Sequence, residues 1–359
     1  MDEIVNLFLL YNKDLTGTIP EIGYFSKLAA LSLMGCSFYG TIPKSLASLS
    51  TLRLLQLKDN AIEGTIPSEL ISLPYIETLG LDGNRLVGSI PRVMVSQDGS
   101  ILKSLSLGSN FLEGPLPDGL EELTTLQFFY ADDNMLTGTI PDEVMELRSL
   151  EQLWLQDNTL SGDISDFSSD SYKLTDIYLG SNEFAGNLHA LLRSAPKSIE
   201  RLDVSGNRRI GGYISNDIGD FDSMKYFNAS SCSLQGILPS MPLSQLVKVQ
   251  TFDISKNRVA GEIPTEIGSM VDLENLNLSN NDFSGYIPDQ VADLVSLTSL
   301  DVSVNRDLDG DLTSTVCKTI GDNLFFSFAD CSGNNPVRVD CECCTHCCTR
   351  EGVCGPNNT

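Results

Sequence analysis

Residues 273–288 read LENLNLSNNDFSGYIP and follow the frame LxxLxLxxNxFxGxIP. The LxL alternation predicts a short strand with its leucines pointing inward, because successive side chains of a strand point to opposite faces. Asn281 follows the strand, where an amide side chain can both donate to and accept from buried backbone groups at a turn. Gly285 permits a further bend, and Pro288 has the φ angle that begins a helical turn.

This frame returns about every 24 residues, and its corner position is filled thirteen times, by Asn12, Cys36, Asn60, Asn84, Asn110, Asn134, Asn158, Asn182, Asn207, Cys232, Asn257, Asn281 and Asn305. A fixed period of this length predicts a leucine-rich-repeat solenoid, whose stacked coils share a core that no single coil can bury. We therefore predict an α/β solenoid of 13 repeats over residues 1–313. It should have a short parallel inner sheet, with 3₁₀ segments and turns on the outer face.

The composition is acidic, with a formal net charge of −25 and a pI of about 4.2. That charge argues against a nucleic-acid partner and against anionic membrane surfaces. No run approaches the roughly 18 to 20 apolar residues that span a bilayer. A link to a membrane is therefore expected only through a segment absent from this chain.

The inner, concave face carries an unusual group of side chains in repeats 6 to 8. Tyr130, Trp154 and Tyr178 occupy the same outward position of adjacent repeats, and Trp154 is the single tryptophan of the chain. Exposed aromatic side chains with a polar rim are typical of binding hot spots. The alternative is that aromatic residues simply suit strands. The predicted ligand-binding residues are Phe128, Tyr130, Asp132, Trp154, Asp157, Asp176 and Tyr178.

The cysteines fall into two classes. Eight lie in residues 314–359, predicted as a disulfide-rich C-terminal cap: Cys317, Cys331, Cys341, Cys343, Cys344, Cys347, Cys348 and Cys354. Disulfides among these eight are favoured over a metal site, although CECCTHCC clusters thiols and His346 at ligand-like spacing. Cys36 and Cys232 lie eight coils apart, nearly 40 Å at about 4.8 Å per coil. That is beyond the reach of a disulfide, so both are predicted to be buried, unpaired thiols.

Catalytic motifs are lacking. The two histidines, His189 and His346, lie in no recognisable nucleophile frame, and no glycine-rich phosphate loop occurs. The residues therefore indicate a non-enzymatic protein without a cofactor, and a hydrolase is the most distant of the interpretations.

The complete frame LxxLxLxxNxLxGxIPxxLxxLxx, over about residues 4–313, resembles the plant-type leucine-rich repeats. Those repeats form the ectodomains of receptor-like kinases and receptor-like proteins, and also the polygalacturonase-inhibiting proteins. The tail, with VDCECCTHCC at residues 339–348, is similar to the cysteine-rich ends of leucine-rich-repeat families of diatoms and related algae. The chain departs from the plant pattern in lacking a paired-cysteine N-terminal cap and a kinase domain.

The resemblance implies a receptor-like ectodomain, extracellular or at the cell surface, that binds a peptide, protein or glycan on its concave face. The alternatives are a secreted inhibitor of a wall-degrading enzyme and a structural or adhesive surface protein.

The first repeat carries its own expectation. Only three residues precede its inward positions, Ile4, Leu7, Leu9, Leu15 and Ile19. An uncovered end coil exposes its leucines. We expect either that a natural upstream segment covers this coil or that two molecules meet there.

Overall fold

The structure, a computed structural model, describes residues 4–93, 99–165, 173–320, 323–331, 339–349 and 353–356. The chain divides into two compact units, Met1–Gly162 with Ser168–Asn182 and Asp163–Phe167 with Glu183–Thr359. In each unit the coils stack in chain order, and the predicted leucine-rich-repeat solenoid is confirmed. The division into a solenoid over residues 1–313 and a cap over residues 314–359 stays a prediction.

Each coil of the first unit gives one short strand to a parallel sheet, called here the main sheet. Neighbouring strands pair in register, so that corresponding residues of adjacent repeats lie side by side. The described strands are Asn6–Phe8, Ala30–Ser32, Leu54–Gln56, Thr78–Gly80, Ser104–Ser106, Phe128–Tyr130, Gln152–Trp154 and Asp176–Tyr178.

The second unit repeats this arrangement and extends it into the tail. Its main-sheet strands are Arg201–Asp203, Tyr226–Asn228, Thr251–Asp253, Asn275–Asn277 and Ser299–Asp301. Two tail strands, Phe326–Ala329 and His346–Cys348, continue the parallel pairing, and Cys354–Pro356 pairs antiparallel with the second of them. The tail thus adds strands to the edge that the last repeat would otherwise leave open.

A second series of short strands follows the corners, where only turns were predicted. In the first unit these strands are Thr16–Thr18, Ser37–Thr41, Ala61–Gly64, Arg85–Gly88, Phe111–Gly114 and Met135–Leu136. In the second unit they are Glu183–Asn187, Arg209–Gly211, Gln235–Gly236, Arg258–Gly261, Asn281–Tyr286, Asn305–Asp311 and Val339–Asp340, and Ser161–Asp163 lies at the boundary between the units. These strands let backbone groups beyond the corner bond to the next coil.

The outer side of the coils consists of short helical segments. The 3₁₀ segments are Lys44–Ser48, Ser68–Leu70, Leu120–Glu122, Asn216–Asp220, Thr265–Ser269 and Asp289–Asp293, and Thr313–Cys317 is a π-helical turn. The α-helices are Asp142–Met145, Leu188–Ser194, Ser240–Leu243 and Lys318–Ile320. Among the described residues, no helix has the length and apolar character needed to cross a bilayer.

The core follows the frame quoted at the outset. Leu273, Leu276 and Leu278 are at most 1% exposed, as is Phe283 beyond the corner. Burying one such side chain stabilises a fold by about 1.5 to 3 kcal/mol. Pro288 immediately precedes the 3₁₀ segment Asp289–Asp293, as its fixed φ predicts.

The corner asparagines join neighbouring coils. The Nδ2 of Asn281 donates to Leu278 O and Ser279 O of its own coil, both at 3.2 Å, and to Ile254 O of the preceding coil at 3.0 Å. Its Oδ1 accepts from Val259 N of that preceding coil at 3.0 Å. The amide therefore satisfies buried backbone donors and acceptors together, as predicted for this position.

At two corners cysteine replaces asparagine, and a backbone carbonyl takes over as the acceptor that the asparagine Oδ1 would have supplied. The Sγ atoms of Cys36 and Cys232 lie 3.1 Å from Leu9 O and 3.3 Å from Val204 O in the preceding coils. A thiol offers no carbonyl-like acceptor for the N–H that an asparagine Oδ1 would bind. In the first coil that N–H, from Leu15, instead donates to the carbonyl of its own corner residue. Both thiols are buried and free, and burial raises the pKa of Cys232 to about 12.

The tail is disulfide-rich. Its eight cysteines form the bridges Cys317–Cys343, Cys331–Cys347, Cys341–Cys344 and Cys348–Cys354. The sulfur atoms of Cys317, Cys341 and Cys343 lie within 4.8 Å of one another, a spacing that a metal ion could use. All three are in bridges, and so the structure has the disulfide arrangement rather than the metal arrangement.

One buried carboxylate, which the repeat frame did not predict, closes the stack. At internal coils, the N–H groups of the corner residue and the residue before it donate to carbonyl oxygens of the next coil. At the last repeat those donors are Val304 N and Asn305 N, and they bind Asp330 Oδ1 at 2.8 Å and Asp330 Oδ2 at 3.0 Å. Asp330 is 4% exposed. Its carboxylate thus takes the place of the carbonyls of a further coil.

Candidate functional site

Four aromatic side chains lie together on the outward face of the main sheet in the first unit. Strand pairing places Tyr130 beside Trp154 and Trp154 beside Tyr178, and Phe128 precedes Tyr130 by two residues on the same strand. Strand side chains two residues apart share a face. We call Phe128, Tyr130, Trp154 and Tyr178 the aromatic ladder.

The rings of the ladder contact one another in sequence. Their centroids are 6.3 Å apart for Phe128 and Tyr130, 4.6 Å for Tyr130 and Trp154, and 5.4 Å for Trp154 and Tyr178. All four side chains are partly buried, in contrast to the fully buried leucines and Phe129 behind them. The ladder is therefore a continuous apolar strip that keeps one side towards solvent.

A chain of hydrogen bonds fixes the polar end of Tyr130. The hydroxyl of Tyr130 donates to Gln152 Oε1, and Gln152 Nε2 donates to Asp176 Oδ2 at 3.3 Å. Asp176 is 4% exposed and also accepts from Thr175 Oγ1 at 2.6 Å. A ring whose hydroxyl is held loses little conformational freedom on binding, and such preorganisation favours affinity.

Trp154 differs from its neighbours in one respect. Its indole Nε1 is buried and donates to none of the described residues. A covered donor without an acceptor costs free energy, because it has given up its bond to water. The centre of the ladder therefore holds a hydrogen-bond donor that the described part of the chain does not use.

Carboxylates surround the ladder. Asp132 is partly buried and lies over Gly108, where a Cβ atom would approach Asp132 Oδ1 to 2.7 Å. Burial, followed by the charges of Asp82, Asp133 and Asp157, raises the pKa of Asp132 above its ordinary value. Several negatively charged carboxylates therefore lie near one another around Asp132.

The same field acts on the phenol of Tyr130. Burial first, and then nearby carboxylates including Asp176 and Asp82, raise the pKa of Tyr130 to about 12. The hydroxyl therefore stays protonated and neutral through the physiological range, and it remains the donor to Gln152.

The seven residues predicted from the sequence are thus grouped on adjacent coils. Six of them belong to the ladder or to the carboxylates beside it, and Asp157 is exposed at the corner turn of the Trp154 coil. Their role as ligand-binding residues stays a prediction. Asp176 differs from expectation in being buried rather than part of a solvated rim.

The main-sheet column of the second unit is satisfied by its own coils. Asp203, Asp253 and Asp301 each accept from the backbone N–H of the serine two residues later, at 2.8 to 3.0 Å. Asn228 and Asn277 make the same turn with Ser230 and Ser279. The polar side chains of this column therefore form hydrogen bonds that support their own coils, and in this they differ from the side chains of the aromatic ladder.

A smaller aromatic group in the tail was missed. Strand pairing aligns Asp301, Phe328 and His346, and the rings of Phe328 and His346 stack with centroids 4.7 Å apart. The tail lacks the repeat frame, so only the alternation in Phe326–Ala329 could have indicated that it continues the main sheet.

Comparisons with known proteins agree with the repeat fold. The family model described as Leucine Rich Repeat matches residues 272–294. No curated protein matches the chain in sequence. Solved structures do match, and the chain is similar to the ectodomains of plant receptors.

Three of these structures are informative. The structure described as PEPR1-AtPEP1 is 26% identical, with a TM-score of 0.73, over 89% of this chain and 52% of that one. The leucine-rich-repeat ectodomain of the receptor kinase GASSHO1/SCHENGEN3 from Arabidopsis thaliana, in complex with CASPARIAN STRIP INTEGRITY FACTOR 2, is 26% identical, with a TM-score of 0.63, over 88% and 42%. The Arabidopsis receptor kinase HAESA, with the peptide hormone IDA and the co-receptor SERK1, is 26% identical, with a TM-score of 0.61, over 96% and 66%. This chain therefore spans only about two fifths to two thirds of their length.

Proposed function

We propose that the chain is the ligand-binding part of a receptor-like protein and that it binds a peptide or protein segment along the aromatic ladder. The observation that carries the proposal is the continuous run of ring contacts from Phe128 to Tyr178 on the open face of the main sheet. The similarity to an ectodomain solved with a peptide hormone supports the class of ligand.

An extended segment suits this surface. Its side chains alternate with period two, so every second one can contact the sheet face while its backbone runs across the coils. Aromatic anchors supply most of the binding energy of such contacts, and the polar residues around them add specificity. A glycan could also stack on the rings, and it is an alternative outcome of the binding assay below.

We place the protein outside the cell or at its surface. The disulfide-rich tail supports this placement, because disulfides persist in oxidising compartments. We propose a binding role without catalysis. An inhibitor of a wall-degrading enzyme would bind a folded enzyme rather than linear peptides, and an adhesive protein would show no preference for the ladder.

Replacement of Trp154 by alanine is expected to weaken ligand binding by about 2 kcal/mol or more, roughly 30-fold in Kd. The ring contacts both Tyr130 and Tyr178, so its removal breaks the ladder at its centre. Ligands are selected from a displayed library of random linear peptides and from a glycan array, and affinities are measured by calorimetry.

Two further variants keep this test interpretable. Trp154→Phe retains a ring and is expected to keep most of the affinity, even if the alanine variant is less stable. Tyr286→Ala removes a ring that is 76% exposed on a strand outside the main sheet, and it should leave Kd unchanged. Equal losses of affinity for Trp154→Ala and Tyr286→Ala, or a Kd that neither substitution changes, would show that the ligand binds elsewhere.

A further inference from the structure

The surroundings of the ladder indicate which chemistry it accepts, on the premise that it is the binding surface proposed above. We infer that the bound segment places an arginine side chain against the faces of Trp154 and Tyr130, with its guanidinium directed to Asp132 and Asp157. Three independent features support a cationic ligand: the ring faces, the lack of ion pairs at Asp132 and Asp157 within the described ranges, and the charge of the whole chain.

The ring faces form the first feature. Aromatic rings carry negative charge on their faces, and tryptophan attracts a cation more strongly than tyrosine or phenylalanine. Trp154 lies between Tyr130 and Tyr178 with tilted and edge-on geometry, so the strip offers faces in more than one orientation. A guanidinium is planar and stacks on such faces, whereas an ammonium interacts as a point charge. The surface therefore fits arginine better than lysine.

The lack of an ion pair at Asp132 and Asp157 is the second feature. Two carboxylates of this unit that flank the strand Thr78–Gly80 do have basic partners on adjacent coils. Glu77 lies 2.7 Å from Arg53 and 2.8 Å from Lys103, and Asp82 lies 2.7 Å from Lys58. In the part of the chain that the structure describes, Asp132 and Asp157 form no ion pair.

The protonation behaviour of these carboxylates agrees with that contrast. Hydrogen bonds from Lys103 and Arg53 hold the pKa of Glu77 below its ordinary value. Burial and neighbouring carboxylates hold the pKa of Asp132 above its ordinary value. A bound cation would relieve the repulsion at Asp132 and supply the missing partner.

The charge of the whole chain is the third feature. A net charge of −25 attracts cations over long range and raises their rate of encounter. It does not by itself choose a site, since the charge is spread over the chain. The ladder adds the local element, because its apolar ring faces lie beside Asp132 and Asp157, which form no ion pair with any described residue.

The test uses the peptides selected by their dependence on Trp154. They should be enriched in arginine, and replacing that arginine by citrulline, which keeps its shape and removes its charge, should raise Kd at least about tenfold. Asp132→Asn and Asp157→Asn should each weaken binding of the arginine peptide and leave the citrulline peptide unaffected. Glu113→Gln removes the same charge from an exposed site on Phe111–Gly114, away from the main sheet, and should have little effect.

A second readout separates a binding role from a structural one. A carboxyl whose pKa is raised in the folded state destabilises that state once it ionises, so stability is lost as pH rises through the raised pKa. Asp132→Asn should therefore raise the Tm at neutral pH while it weakens the arginine peptide. A lowered Tm would mean that Asp132 holds the coil together.

The outcomes distinguish this inference from the proposed function. Peptides that need Trp154 but lack arginine, or bind equally with citrulline, would overturn the inference and leave the ladder as the binding surface. Failure to recover any ligand that depends on Trp154 would overturn both. Equal effects of Glu113→Gln and Asp132→Asn on the Kd of the arginine peptide would mean that the net charge of the chain alone attracts arginine. They would overturn the placement of the guanidinium at Asp132 and Asp157.

Discussion

Asn110→Ala is expected to lower the free energy of unfolding by about 3 to 5 kcal/mol, more than a typical substitution. Asn110 is 6% exposed and fills the corner position of its coil. Its Nδ2 donates at 3.0 to 3.1 Å to the carbonyl oxygens of Leu81, Leu107 and Gly108. Its Oδ1 accepts from Leu86 N at 3.0 Å.

The size of the effect follows from what alanine leaves behind. A buried donor or acceptor that loses its partner costs about 1 to 3 kcal/mol, and several lose it here. The measurement is urea unfolding, together with hydrogen exchange at the Leu86 amide, which should exchange faster. A loss below about 1 kcal/mol, at the level of a surface substitution, would show that the corner amide is not a structural link between coils.

Asn110→Cys is the matched control that the chain itself suggests. At Cys36 and Cys232 a thiol already contacts one carbonyl of the preceding coil. Leu86 follows its corner Asn84 by two residues, however, whereas Leu15 follows Asn12 by three and its N–H donates to Asn12 O at 3.0 Å. Because the coil of Asn84 lacks that extra residue, cysteine should restore only the contact with the carbonyl of the preceding coil and recover a minority of the stability that alanine loses. A cysteine variant as stable as the natural protein would contradict the role of the amide oxygen at this corner.

Asp330→Ala is expected to cost about 2 to 4 kcal/mol at the C-terminal end of the stack. Two N–H groups, the part-buried one of Val304 and the buried one of Asn305, would lose their acceptor. Each coil of a solenoid contacts only its neighbours, so the loss should be local. Exchange of these two amides should accelerate by at least about 30-fold.

Internal amides provide the comparison. Lys256 N and Asn257 N donate to Ser279 O and Asn280 O at 2.9 and 3.1 Å, the bonds that Asp330 replaces at the end. Their exchange should not change. Asp330→Asn keeps the shape but offers one acceptor oxygen, and so should give an intermediate effect. Uniform acceleration over all coils, or none at Val304, would mean that Asp330 does not close the stack.

Much of the fold was predictable because one residue type has one task at each position of the frame. The LxL alternation predicted the main-sheet strands, and the corner asparagine predicted the hydrogen bonds between coils. The strands beyond the corners were not predicted, because segments of two to seven residues, most of them with a glycine, show no clear alternation. The left-handed backbone of the residue before the corner was not predicted either. Asn280, which precedes the corner residue Asn281, has a φ of +54°, in the region that favours glycine.

The closure of the stack was beyond the repeat pattern. Asp330 acts through its carboxylate alone, in a segment without the frame, and a single aspartate in a loop carries no such signal. Disulfides were expected in the tail from the number of cysteines. Their pairing depends on which turns bring sulfur atoms together, and eight cysteines allow 105 pairings.

The candidate site was predictable in position but less so in environment. A regular period aligns equivalent residues, so Tyr130, Trp154 and Tyr178 had to be neighbours if the register held. Burial depends on side-chain packing, which the period does not specify. Trp154 is thus partly buried, with its indole N–H covered, and Asp176 is held by Thr175 and Gln152 rather than exposed.

Because Trp154 is the only tryptophan of the chain, its fluorescence reports on the ladder directly. A peptide selected for binding is titrated into the protein while tryptophan emission is recorded, and Kd is measured in parallel by calorimetry. The peptide itself contains no tryptophan. If the ladder is the binding surface, the emission should change and saturate with the calorimetric Kd. Binding that produces heat while the emission of Trp154 stays unchanged would contradict the account.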